Sequence, residues 1–162
     1  MLERRGPRGE IQSEGFLLLQ GELPSSSWAR ELPGPLESRT REQQSLLWLA
    51  PGEWLLIVPA TDVLSMEARL STELRTTFAA VTDLSDAFAS FELTGKRGAE
   101  VLMTGCSLDL HTEAFGSGRV ARTVLAGVAA IVWRAQMERF RVFVDRSFAE
   151  HLEQWLARNP GS

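Results

Sequence analysis

Leu46-Leu47-Trp48-Leu49, Ala50-Pro51-Gly52-Glu53 and Trp54-Leu55-Leu56-Ile57-Val58 follow one another without a break. Two apolar, aromatic-bearing runs around Pro-Gly predict a β-hairpin. Pro51 presets φ at the first turn position, and Gly52 can take the positive φ of the second. A helix is expected next, capped by Thr61 or Asp62, with Leu64, Met66, Leu70 and Leu74 as its apolar face. Strand, turn, strand, helix then recurs from Ile131 to Leu156. At an offset of 86 residues Trp54 meets Phe140, Ile57 meets Phe143 and Val58 meets Val144. Thr61 likewise meets Ser147, Met66 meets Leu152 and Leu70 meets Leu156.

Working outward, Phe16 to Gly21 parallels Ser90 to Gly95, each an apolar run that ends in glycine. Phe78 to Val81, Phe88 to Leu93, Val120 to Leu125, Val128 to Trp133 and Phe140 to Val144 read as further strands. Ala99 to Met103 reads as a short helix closed by Gly105. Ser147 and Glu150 fit a capping box, ahead of a helix whose apolar face is Phe148, Leu152, Trp155 and Leu156. Residues 22–45 read mostly as loop, with one helical turn at Trp28 to Leu32, and 106–118 as loop. The fold class expected is α+β: two ferredoxin-like β-α-β-β-α units packed together. The boundaries are a flexible N-terminal arm at 1–15, a first half at 16–84 and a second at 85–158, forming one compact domain.

A chain of 162 residues with 44% hydrophobic and 23% charged residues can bury a sizeable core. Net charge is −4, and the one basic cluster is Arg4, Arg5 and Arg8, so no nucleic-acid partner is expected. The lone cysteine, Cys106, excludes an internal disulfide and a multi-cysteine metal site, and it fits a cytoplasmic setting. No signal-peptide core is present, and the longest apolar run, Val124 to Trp133, is too short to span a bilayer.

Each chemical candidate has a structural reading beside it. Gly95-Lys96-Arg97-Gly98 lacks the spacing of a phosphate loop and reads as a solvated turn. Cys106, Asp109 and His111 stand close enough to be tested as a nucleophile set. A lone cysteine in an apolar setting is more commonly a small buried hydrophobe. His151, beside Glu150 and Glu153, reads as solvated. Asp83 and Asp86 flank a turn, where aspartate bonds its own backbone. No catalytic, cofactor or metal residue is therefore assigned. Trp48, Trp54, Trp133 and Trp155 read as core, and Trp28 as an interface residue.

Several stretches carry a family resemblance. They are Leu47-Trp48-Leu49-Ala50-Pro51-Gly52-Glu53-Trp54-Leu55, Thr82-Asp83-Leu84-Ser85-Asp86 and Gly105-Cys106-Ser107-Leu108-Asp109-Leu110-His111. Phe115, Ala121-Arg122-Thr123, Val144-Asp145-Arg146-Ser147-Phe148-Ala149-Glu150-His151-Leu152 and Trp155-Leu156 complete the set. From about Leu46 to the C-terminus the chain resembles the gamma subunit of heterotetrameric sarcosine oxidase; the first 45 residues match poorly. The resemblance implies a complex that demethylates sarcosine oxidatively to glycine, with hydrogen peroxide and methylene-tetrahydrofolate as further products. It implies no cofactor in this chain. FAD, FMN, NAD and folate are expected in the partner subunits, a large alpha flavoprotein and an FAD-binding beta subunit, and zinc in a small delta subunit. It also implies a fold similar to the folate-binding domain of the glycine-cleavage aminomethyltransferase. The expected role is assembly and stability, with a stand-alone folate or one-carbon module as the alternative. Trp28, His111, Phe115, Arg122 and Arg146 are the expected interface residues; the loops that bear them could equally brace the subunit itself.

Overall fold

The computed structural model describes residues 2–5, 14–23 and 32–159. The chain divides into two compact units, Ile11–Asp86 and Met1–Glu10 with Ala87–Ser162.

In the first unit the strands are β2 (Glu14–Gly21), β3 (Ser38–Arg41), β4 (Gln44–Ala50), β5 (Glu53–Pro59) and β6 (Ala79–Asp83), with helix α1 (Val63–Glu73) before β6. They form one antiparallel sheet in the order β3-β4-β5-β2-β6. The β4–β5 hairpin stands where the Pro-Gly signal put it, with Gly52 at φ 74 and a bulge between Trp48 and Ala50. Alternation sends Leu17, Leu19, Leu46, Leu56 and Val58 to one face, where Val63 and Leu70 of α1 cover them. Each fully buried leucine there contributes about 2 kcal/mol.

The second unit contains β1 (Leu2–Arg5), β7 (Phe88–Thr94), α2 (Gly98–Met103), β8 (Val120–Leu125), β9 (Val128–Gln136), β10 (Arg139–Asp145) and α3 (Ala149–Arg158). Its sheet order is β1-β7-β10-β9-β8. Phe91, Leu93, Val132, Phe140, Val142 and Val144 meet Ala149, Leu152 and Leu156 of α3 and Leu102 of α2 in one core.

The two sheets are built alike. Leu17 pairs Leu56 and Phe91 pairs Val142; Leu19 pairs Trp54 and Leu93 pairs Phe140. Four strands of each sheet carry the ferredoxin-like order, and β3 or β8 extends it. The fold is the α+β class that the 86-residue offset indicates.

Several local expectations are corrected. Leu2–Arg5, inside the stretch read as an arm, is a strand paired with β7. Ser38–Arg41, inside the stretch read as loop, pairs β4. Both are short and charged, so neither carries an apolar period. The helical turn expected from Trp28 lies outside the described residues but for Leu32. Phe78 precedes β6 and is 94% exposed, and Leu64 is 77% exposed, off the buried face of α1. No capping box forms: Asp145 accepts from the N–H and Oγ–H of Ser147, and Glu150 accepts from Gln154. Phe148 is correspondingly exposed in a 3-10 turn before α3. Gly105 is required by close packing and not by a positive φ, since a Cβ there would lie 2.4 Å from Cζ2 of Trp155. No helix among the described residues is long and apolar enough to cross a membrane.

Candidate functional site

The segment between α2 and β8 carries the largest group of sequence-nominated residues, and its form follows from three anchors. Asp109 bonds its own backbone two residues on, accepting at Oδ1 from the N–H of His111 at 3.0 Å. The same oxygen lies 2.7 Å from Nδ1 of His111. An ionised carboxylate only accepts, so Nδ1 carries the proton. The backbone N–H of His111, and next its ring, hold the Asp109 carboxyl below its ordinary value. The His111 carbonyl then accepts from Ala114 and Phe115, closing a tight turn.

Arg134 of β9 braces this turn from beneath. It is 3% exposed, and Nη2–H donates to the Leu110 carbonyl at 3.0 Å. Nη1–H reaches Oγ1 of Thr112 at 3.4 Å. The guanidinium lies 4.5 Å from the centroid of Phe140, a cation–π contact inside the core. Burial pulls its pKa below the ordinary arginine value. Leu110 and Phe115 are buried on the inner side of the loop. On the outer side Asp109, His111, Thr112, Glu113 and Ala114 line a shallow depression of about 660 Å³.

The nominated residues thus separate. His111 is exposed at the depression, and Arg122 is exposed on β8. Phe115 is 6% exposed and belongs to the core of its unit. Arg146 is half-buried: its N–H donates to Ala87 O at 2.8 Å and its Nη2–H to Phe88 O at 3.2 Å, tying the end of β10 to the start of β7. Trp28 lies outside the described residues. Cys106 packs against the core while His111 bonds Asp109, and no bond among the described residues joins the thiol to the imidazole. His151 is exposed, in line with its reading as solvated, and its ring also bonds Ala126 O at 2.8 Å. Among the described residues no three His, Cys, Asp or Glu side chains converge as metal ligands.

Sequence reasoning missed Arg134. The one available signal was an arginine at the end of the apolar run Val128 to Trp133, where a buried strand tolerates charge only with partners. It also missed Glu92, 5% exposed and 2.7 Å from Nη2 of Arg139.

Fold and surface define a two-repeat, ferredoxin-like α+β protein that presents a braced polar loop. The chain belongs to the sarcosine oxidase, gamma subunit family, whose sequence model matches residues 25–160. It is 34% identical over 115 residues to the sarcosine oxidase gamma subunit of Corynebacterium sp. (strain P-1). It is 36% identical over 115 residues to that of an Arthrobacter species. Each alignment covers 71% of this chain and 56% of the relative, so the match spans little more than half the relatives' length. Among solved structures, a chain of heterotetrameric sarcosine oxidase from Corynebacterium sp. U-96, in complex with pyrrole 2-carboxylate, superposes with a TM-score of 0.82 at 27% identity. That match covers 98% of this chain and 82% of the other. Aminomethyltransferase T of the glycine cleavage system from Bartonella henselae shares the fold, with a TM-score of 0.69 at 16% identity over 96% of this chain and 44% of the other.

Proposed function

We propose that this chain is the gamma subunit of a heterotetrameric sarcosine oxidase-like complex and supports its assembly and stability without a reaction centre of its own. The observation that carries the reading is the likeness, over 98% of the chain, to a chain of a heterotetrameric sarcosine oxidase. In this reading the complex demethylates sarcosine to glycine with hydrogen peroxide and methylene-tetrahydrofolate. FAD, FMN, NAD, folate and zinc reside in the alpha, beta and delta partners. The complex works in the cytoplasm.

The docking surface we assign is the outer side of the Asp109–Ala114 turn together with Arg122 on β8. The support is mechanical: Arg134 and Asp109 hold the turn in shape, so its exposed groups lose little freedom on binding. Co-expression of a tagged chain with the large flavoprotein subunit tests both layers. Capture of the flavoprotein is expected, weakened roughly tenfold in His111→Ala or Arg122→Glu, with the melting temperature of the isolated variant unchanged. A stable chain that never captures the flavoprotein refutes the subunit role. Capture that is indifferent to both substitutions moves the interface elsewhere.

The fold likeness to an aminomethyltransferase motivates one rival, a stand-alone folate module. Titration with tetrahydrofolate, read by tryptophan fluorescence, separates them. The subunit reading expects no saturable response up to millimolar ligand.

A further inference from the structure

The outermost strands of the two sheets differ in how they are supplied. In the first unit β6 follows α1 after one 3-10 turn, Leu74–Thr76, and closes the β2 edge. In the second unit the corresponding place beside β7 is filled by Leu2–Arg5, from the far end of the sequence. This strand has four residues, paired Leu2 with Leu93, Glu3 with Glu92, Arg4 with Phe91 and Arg5 with Ser90. Three of the four are charged.

Without it, β7 would be an edge of an unsafe kind. Long, apolar edges template pairing with other chains, and proteins blunt them with charge, brevity or cover. The other outer strands carry their own exposed charge: Arg39 and Arg41 on β3, Arg122 on β8 and Asp83 on β6. β7 has only Glu92, and that carboxylate is buried against Arg139. With β1 paired to it, its residues Ala89 to Leu93 are all buried.

We infer that β1 is an edge guard: a short, charged strand that closes β7 and keeps a second copy of the chain from pairing there, β7 against β7. The inference is independent of which complex the chain joins.

A pair of single substitutions in the full chain tests it. Neighbouring residues of a strand turn their N–H groups to opposite sides, so only one of Glu3 and Arg4 donates towards β7. Proline removes that donor. One of Glu3→Pro and Arg4→Pro should therefore speed amide exchange across Phe88–Thr94 roughly fivefold, the loss of one ladder bond. The same variant should self-associate in sedimentation at concentrations where the unsubstituted chain does not. The other variant should match the unsubstituted chain. Two unchanged variants, or loosening without self-association, overturn the proposal. A second measurement uses the chain lacking residues 1–10. It should dimerise, with the Phe88–Thr94 amides regaining protection as concentration rises. A monomer, or an aggregate with those amides unprotected, overturns it.

Discussion

Arg134 shows how one side chain sets the form of a surface it does not reach. Its guanidinium is held out of water by Phe140 and the strands, and the desolvation cost is offset by bonds to Leu110 O and Thr112. Replacing it with methionine keeps much of the volume, removes the charge and removes the donors. The lost bonds and the relieved desolvation oppose each other, so global stability should change by no more than about 1 kcal/mol. The loop should loosen all the same, with faster exchange at residues 110–115 than at β9 when hydrogen exchange is compared with the parent. Asp109 adds a pH signature. Its folded-state pKa is depressed by the N–H groups of His111. A depressed carboxyl pKa contributes order that is fully present above the ordinary value of 3.8 and is lost as pH falls through the folded value. The His111 amide shift should stay flat with respect to Asp109 from neutral pH to about pH 5 and titrate only in stronger acid. A transition of Asp109 near neutrality would contradict the arrangement.

At the scale of elements, turns set register and helices close the core. Ala126 and Gly127 join β8 to β9 with φ of 51 and 84, the two positive values of a type I′ hairpin turn. Alanine is strained in that conformation, whereas asparagine tolerates it. The turn is held from both sides, by Ala126 N–H to Gly105 O at 2.9 Å and by His151 to Ala126 O. Ala126→Asn should raise stability by about 0.5–1 kcal/mol, read as a shift of the denaturant midpoint at constant slope. The hairpins and helices were legible because an amphipathic strand or helix shows its period in the sequence. Strands β1 and β3 were not, because their place in a sheet is decided by the neighbour that needs an edge partner. The capping box failed for a related reason: Asp145 competes for the same serine and lies closer to it along the chain.

Across the molecule, the second half is a variation on the first. The register pair Leu18 and Leu55 of the first sheet has Glu92 and Arg141 as its counterpart in the second. Glu92 and Arg141 are both 5% exposed, and Arg139, which binds Glu92, keeps 36% of its side chain accessible. Arg141 also lies 5.0 Å from the Phe143 ring centroid and 5.7 Å from that of Trp133. Glu92→Leu alone leaves the half-buried Arg139 guanidinium without its carboxylate, beside the buried Arg141, and should cost roughly 1–3 kcal/mol. Glu92→Leu with Arg141→Leu restores the leucine pair of the other unit and should cost less than the single change, measured by chemical denaturation. The repeat that exposes this contrast was readable from the sequence, since hydrophobic period, turn residues and the 86-residue spacing are local properties of the chain. So were the α+β class and the family resemblance. The sequence also nominated His111 and Arg122, and with them Phe115, which the fold takes into the core. Only the tertiary structure decided that outcome, together with the burial of Arg134 and Glu92 and the closing of β7 by residues from the other end of the chain. Burial and pairing depend on which groups meet in space, and no local period records a contact between positions so far apart.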